Sequence, residues 1–568
     1  MRSIAALIAI ALLLTTVCPA ADKQQLLKNI SDFSLEGMNR RLGPEYDFFH
    51  KTIKLPEPPL IWLRPDKEIK GKRSYQVGGE WKKDAGDYSS TQGQIVYFPD
   101  QGPGVDRVSI HQSDHGYFCQ KPEPPWNSGF RPEPSVAEWQ KSRSGALGVP
   151  LGMARGLSTW SNCGVIVFSS GFVGTAGTVT AAGSHPSLTL PPEKLPVAIT
   201  VTPRNEFALI TVCDTKKMMA QIAVIALTGG GVKGFVHDWP ESHPCLANVG
   251  LLTGMKLLGY IDLPGIVAPT GICAVGNHIP GRLNGPDGNA GMLRSFDLSR
   301  PNDRNSFYKS GNEHYTNSAG FAIVTARYEN KACFVDLQPL FQHVREMYFT
   351  SDENYKKTRD QGPAPEQWPT TFEKDPSWMP KLISTIDVKE PTAAVATFTG
   401  GDKARAFIAS MDGTVGIYAV GGLATDAPAL PNQIGKVGEF KLGNNPVQLT
   451  HQKGSHDSFL AVSRGDREIE WFKLTGDTAV VTRRLRDKHL LDPVDVEVAD
   501  THGIETHFIT VADFKGKKII NYRCSPIHFA TQGGMKFPVG EDGKADFECG
   551  GMMEFPGYPF CVSATNVN

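Results

Sequence analysis

Residues 195–227 constrain this chain most: Leu-Pro-Val-Ala-Ile-Thr-Val-Thr-Pro-Arg-Asn-Glu-Phe-Ala-Leu-Ile-Thr-Val-Cys-Asp-Thr-Lys-Lys-Met-Met-Ala-Gln-Ile-Ala-Val-Ile-Ala-Leu. Three runs rich in β-branched residues, at 197–202, 207–213 and 221–227, are separated by turn formers at 203–205 and 214–217. The segment therefore reads as three strands in succession. A single meander of this kind cannot bury both faces, so it needs neighbours like itself.

The chain supplies them. Triplets of strands are expected at 391–398, 405–410 and 415–420, then at 446–450, 459–463 and 469–474, and again at 493–498, 508–512 and 519–522. Asp412-Gly413 is a two-residue turn suited to a tight hairpin. Phe407, Phe459 and Phe508 recur at intervals of about 50 residues, the length of a four-stranded unit with its connections. The fourth strands are expected at 437–441 and 480–485. Two more copies are read separately, one at 269–298 and one at 320–337, and two weaker ones between 74 and 192. Together these predict an all-β fold, a β-propeller of four-stranded antiparallel blades, seven in number or alternatively eight. The tail 547–562 is expected to supply a closing strand.

The repeat itself, Pro-x-x-(apolar)-x-(apolar)-x-Pro followed by Phe-Ala-Leu-Ile-Thr-Val and then Ile-Ala-Val-Ile-Ala-Leu, resembles the repeats of the YVTN and lactonase-like β-propellers, as do 407–420 and 508–522. The resemblance covers 195–524 well and 74–192 poorly. It implies a scaffold whose relatives include lactonases, cofactor-bearing oxidoreductases and surface proteins. It carries no catalytic residue onto this chain, because the likeness lies in the strands.

Ahead of the repeats the pattern changes. Met1-Arg2-Ser3 and an apolar run at 4–17, followed by Pro19-Ala20-Ala21, read as a signal peptide over 1–21, which predicts a secreted, periplasmic or extracellular protein with no transmembrane span after cleavage. Residues 22–71 are expected to form an N-terminal arm with one helix near 23–41 and a Pro-rich lead-in, and 72–568 the propeller. Insertions near 278–289 and 350–379 interrupt the repeats. Loops are where function is sought on such a scaffold.

Charge excludes one class of partner. With 58 Lys and Arg against 59 Asp and Glu, the chain has no net field to draw in nucleic acid, which leaves a small molecule or a protein as partner. Nine cysteines follow the leader, an odd number that leaves at least one thiol without an intrachain bridge. Cys163, Cys213, Cys273 and Cys333 sit in apolar runs and are expected to behave as small buried hydrophobes, whereas Cys549 and Cys561 flank the tail and could staple it.

Two histidine clusters are the candidate metal ligands. His111, Asp114 and His115 end one expected strand, and Asp500, His502 and His507 lie between two others; either mix of imidazole and carboxylate suits zinc or copper. Asn284-Gly285-Pro286-Asp287-Gly288-Asn289 has an oxygen-rich composition compatible with calcium but lacks the spacing of an EF-hand. A solvated loop is the plainer account of both histidine clusters and explains 284–289 at least as well. Arg464-Gly465-Asp466 is an adhesion tripeptide or, more simply, a hairpin turn. There is no Cys-x-x-Cys-His for covalent haem, no Gly-x-Ser-x-Gly elbow, no Walker loop and no His-Glu-x-x-His. Catalytic and ligand-binding residues are therefore not assigned. Three readings follow: a secreted scaffold that binds a ligand or protein through its loop face; a lactonase-like or metal-dependent enzyme with its site at the central channel; and a surface or extracellular structural protein.

Overall fold

A computed structural model describes residues 188–230, 242–246, 251–277, 298–309, 316–358, 371–397, 403–425, 427–452, 457–499 and 507–524, with further strands at 60–62, 71–77, 80–82, 87–88, 95–98, 107–112, 150–154, 163–168, 171–177, 548–554 and 558–564. The leader, the helix expected in the arm and the loop 278–289 lie outside these residues.

Six sheets each follow a four-stranded antiparallel path, so the protein is a β-propeller. Blade 1 is Pro150–Ala154, Cys163–Phe168, Phe172–Gly177 and Leu188–Thr189. Blade 2 is Lys194–Val201, Phe207–Asp214, Met219–Gly230 and Leu251–Leu263, with the short Ser242–His243 also paired to its third strand. Blade 3 is Gly271–Gly276, Gly320–Ala326, Lys331–Asp336 and Lys381–Asp387. Blade 4 is Pro391–Ala396, Arg405–Ser410, Thr414–Ala419 and Gly435–Lys441. Blade 5 is Pro446–His451, Ser458–Ser463, Glu468–Thr475 and Thr478–Arg486. Blade 6 is Pro493–Ala499, His507–Asp513, Lys518–Cys524 and Glu548–Glu554, extended outward by Gly71–Val77, Glu80–Lys82 and Asp87–Tyr88.

The count of seven blades is thus corrected to six, for a physical reason. The segments at 269–298 and 320–337 do not start two units: Gly271–Gly276 pairs directly with Gly320–Ala326, so the long connection between them lies inside one hairpin of blade 3. In the N-terminal part only blade 1 is a complete antiparallel unit. Leu60–Trp62, Ile95–Phe98 and Arg107–Gln112 form a mixed sheet whose last member, Tyr558–Ala564 from the C-terminal tail, runs parallel to Arg107–Gln112. That strand lies between the inner strands of blades 6 and 1 and joins the two ends of the chain.

One device recurs near the start of the inner strands of blades 1, 2, 4, 5 and 6 and of the closing strand Tyr558–Ala564. Pro150, Pro196, Pro391, Pro446, Pro493 and Pro559 are each followed by a register shift of one residue in pairing with the neighbouring strand. Proline has no N–H for the ladder, so it is tolerated at the start of a strand or at a bulge, and the bulge bends the strand where it enters the ring. Adjacent inner strands are also cross-bonded: Thr392 Oγ1 donates to Pro446 O, Ala274 N to Thr200 Oγ1 (3.3 Å), and Val562 N to the buried Asp495 Oδ2 (2.8 Å).

Among the described residues the core is a set of apolar layers between neighbouring sheets, at blades 1 and 2, 2 and 3, 3 and 4, and 4 and 5. Phe407 and Phe459, which mark the sequence period, meet across the blade 4–5 layer with ring centroids 4.8 Å apart, and Phe472 stacks on Phe459 at 5.2 Å. Each such ring removed from water contributes roughly 2 kcal/mol. Of the thiols expected to be buried, Cys213 and Cys333 are buried and Cys273 is partly so, while the Cys163 side chain lies outside the described set. Burial pushes Cys273 up to about 12 and Cys333 to about 11, as for inert core groups. Cys561 does not staple the tail to Cys549: it is a buried thiol whose Sγ donates to Met153 O (3.5 Å).

Antiparallel alternation divides the connections into two sets. Those from second to third strand, and from one blade's outer strand to the next inner strand, share one face and are short: 215–218, 264–270, 327–330, 388–390, 411–413, 442–445, 464–467, 487–492 and 514–517. The opposite face receives the rest, including 231–250, 277–319 and 337–380, all from blades 2 and 3. We call these the turn face and the loop face.

Candidate functional site

On the loop face the long connections of blades 2 and 3 fold into a layer. Its main helix, α2 (Gln338–Phe349), follows α1 (Pro301–Ser306) and precedes α3 (Asp352–Lys356). Pro339 suits the first turn of α2, and Leu340, Phe341, Val344, Met347 and Tyr348 fall on one stripe and are buried. Ser351 caps α3, its Oγ accepting from Asn354 N (3.1 Å). The segment 371–379 is seated by Phe372, whose N–H donates to Leu258 O (2.9 Å). Its ring fills the space over Gly259, where an added Cβ would stand 2.8 Å from Phe372 Cδ2. Gly259 also has a φ of 148°, which a side chain rarely adopts.

Polar groups lock this layer onto the blades. In the first hairpin turn of blade 2, Glu206 is buried and its carboxylate accepts from Thr202 Oγ1 (2.7 Å), Asn317 N (2.8 Å) and Asn317 Nδ2 (2.9 Å). Removal from water raises its pKa, against the lowering effect of these donors. Cys245 is buried with a φ of 64°, and burial, then the nearby Glu206 charge, raise its thiol well above the ordinary value. His243 Nε2 lies 3.2 Å from Tyr355 Oη, and Tyr348 Oη donates to Pro244 O (2.7 Å). The Arg304 guanidinium covers the Tyr355 ring at 3.8 Å, donates to Leu298 O (2.7 Å) and pairs with Asp352. His343 stacks on Trp378 at 3.9 Å between centroids, and burial lowers its pKa to about 4.

Chemically this is a clamp. The buried Glu206 carboxylate is spent on hydrogen bonds within the protein, and the buried Cys245 thiol is held protonated, which is the opposite of nucleophile activation. What the layer presents outward is charged and helical: Arg345, Glu346, Asp352, Glu353, Lys356 and Lys357 are exposed.

The side chains of the sequence-predicted ligands all fall outside the described residues. His111 lies in the strand Arg107–Gln112 and His507 in the second strand of blade 6, with their side chains outside the described set; Asp114, His115, Asp500 and His502 lie outside it altogether, as does 284–289. Among the described residues no group of three or more His, Cys, Asp or Glu is placed to hold a metal ion, and no helix is long and apolar enough to cross a membrane. Arg464-Gly465-Asp466 is a structural turn: Arg464 is buried, with Nε 2.7 Å from Asp492 Oδ1, and Asp466 Oδ2 accepts from Asn444 N (2.7 Å). Reading from sequence missed Glu206, Cys245, His243 and the helix α2. Only α2 left a signal, its apolar residues spaced at one and four behind a proline.

No protein-family model matches the chain, and no characterised protein sequence matches it. Solved structures with a similar arrangement include the periplasmic gluconolactonase PpgL of Pseudomonas aeruginosa, at 9% identity and TM-score 0.36 over 77% of this chain and 92% of that one. The β-propeller domain of Myceliophteria_thermophila Cps50 (Swd1) has 9% identity and TM-score 0.37 over 73% and 90%. Chaetomium thermophilum Sqt1, bound to the N-terminus of ribosomal protein L10, has 10% identity and TM-score 0.33 over 67% and 72%. At such identities these likenesses concern the fold and carry nothing about chemistry.

Proposed function

We propose that this protein is an exported scaffold of the YVTN-like kind that binds a protein partner through the loop-face layer of blades 2 and 3. The observation that carries this reading is the one-sidedness of the decoration: 231–250, 277–319 and 337–380 all leave their strands on one face, and their described parts are clamped there by Glu206, Asn317, Arg304 and Tyr348. A rigid layer of exposed charged helix is a surface preorganised for recognition. Export rests on the leader-like composition of 1–21.

The test reverses charge on each face. A partner recovered with the wild-type chain is expected to be lost on Arg345→Glu with Lys356→Glu and retained on the turn-face control Lys216→Glu with Lys389→Glu. Retention by the first variant and loss by the second would overturn the assignment, and turnover of a lactone by purified protein would replace it with the enzyme reading.

A further inference from the structure

We propose that the outer strand of blade 5, Thr478–Arg486, is a docking edge for an acidic extended segment of a partner protein, which adds to the blade as a fifth strand. This edge is separate from the loop-face layer, and the inference does not rest on it.

Among the described residues this strand pairs only with Glu468–Thr475, leaving its other edge open along the sheet direction. An open edge of that length is a template for another chain. The molecule already uses such an edge elsewhere: on blade 6 the outer strand Glu548–Glu554 takes on Gly71–Val77, with Arg73 opposite Met553 and Ser74 opposite Met552. Blades 3 and 4 leave outer edges as well, but with mixed signs. Lys381–Asp387 begins with a cation and ends with an anion, and in Gly435–Lys441 Lys436 is paired with Glu439 at 2.5 Å.

The blade 5 edge has one sign. Its exposed alternate residues are Thr478, Val480, Thr482, Arg484 and Arg486, and the strand contains no acid. Val480 is 54% exposed, the most exposed large apolar side chain among the described residues. Arg484 Nε lies 2.9 Å from Glu470 Oε1 and Arg486 Nε 2.5 Å from Glu468 Oε2; both carboxylates are buried, while the arginine side chains are 48% and 71% exposed. The two guanidinium groups are thus held from beneath and presented outward, so less ordering is lost when an anion meets them.

Side chains alternate along a strand, so an added antiparallel strand is read at every second residue. The complementary segment has acids facing Arg486 and Arg484 and an apolar residue facing Val480, a pattern of acid-x-acid-x-x-x-apolar.

A labelled peptide Glu-Val-Glu-Thr-Val-Thr-Leu, titrated into the full chain by fluorescence anisotropy, tests this against Lys-Val-Lys-Thr-Val-Thr-Leu. The acidic peptide is expected to bind about tenfold or more tightly than the basic one, with salt weakening it. It should slow amide exchange across 478–486, and lose about tenfold in affinity on Val480→Lys while Val437→Lys on blade 4 leaves it unchanged. Backbone N-methylation of the peptide at one alternate set of residues should abolish binding, and at the other set spare it. Equal affinity for both peptides, exchange protection elsewhere, or equal losses from the two valine variants would overturn the proposal.

Discussion

The two faces of this propeller are closed by different physics. On the turn face, side chains in or beside the turns of blades 3, 5 and 6 accept backbone N–H groups of the connection arriving from the neighbouring blade or leading to the next one. Glu329 Oε1 takes Val267 N and Ala268 N (both 2.8 Å), Asn330 Oδ1 takes Glu390 N (2.7 Å), Asp466 takes Asn444 N, and Asp513 takes Leu491 N (2.6 Å) and Asp492 N (3.0 Å). These are local staples at the joints between successive units, and they leave no room for insertions. On the loop face the connections are stapled to one another, across more than a hundred residues in the case of Glu206 and Asn317. One face therefore fixes the ring, and the other can be elaborated without disturbing it. The ring should fail when the first is damaged, and only the layer when the second is.

The largest effect is expected at a turn-face joint. Arg464 and Asp492 are both buried and bonded through two atoms, Nε to Oδ1 at 2.7 Å and Nη2 to Oδ2 at 3.0 Å. Arg464→Ala leaves the carboxylate buried and without its cation, at a cost of about 3–5 kcal/mol. Denaturant titration should show a lower midpoint for the whole chain. A change confined to exchange near 464 would break the distinction between faces.

Phe372→Ala is the loop-face counterpart. It empties the space over Gly259 and removes the edge contact with Trp378 at 5.4 Å, a loss of about 3 kcal/mol by the usual cost of such truncations. Here the loss should appear as faster amide exchange in 371–379 and α2, with the global midpoint nearly unmoved.

Acid should separate the faces too. His343 is held neutral by burial, its pKa lowered from 6.5 to about 4, so the folded layer binds fewer protons than the open one between those values. Stability of the layer is fully present above pH 6.5 and falls as pH drops toward 4, by about 3 kcal/mol. His343→Phe should flatten that slope in the exchange of α2. Glu206 works in the opposite sense, since a raised carboxyl pKa favours the protonated fold and makes the layer more stable as pH falls through its folded value toward 4.5. A Glu206→Gln background isolates the histidine.

How much of this was legible follows from the range of the interactions. Strands 405–410 and 459–463 were read within a residue of their observed bounds, because β-branched alternation and Asp412-Gly413 are local signals. The blade count was not legible. Whether 269–275 and 320–327 belong to one hairpin depends on a pairing across forty or so residues of insertion, which no periodicity records. The site was less legible still. Glu206 looks like any residue beside a turn until Asn317 is placed against it, and nothing local to Cys245 in the sequence tells that it is buried near that carboxylate.

The smallest effect sharpens the comparison most, because it tests whether a staple acts locally. Asp412 sits in the blade 4 turn, its Oδ1 accepting from Thr414 N (2.9 Å), while Gly413 adopts a φ of 84° with the Leu442 and Gly443 carbonyl oxygens 2.7 Å from where a Cβ would stand. The N–H bond lowers the Asp412 pKa, so the carboxylate form is the one that caps the turn. Asp412→Ala removes one bond at an exposed position and should cost about 1 kcal/mol. Asp412→Asn keeps an acceptor and should recover most of it. If the turn face is a chain of independent staples, the Asp412→Ala loss adds to that of Arg464→Ala in the double variant, since the two joints share no partner. A marked departure from additivity would mean that the joints are coupled through blades 4 and 5, and that the ring tightens as one body.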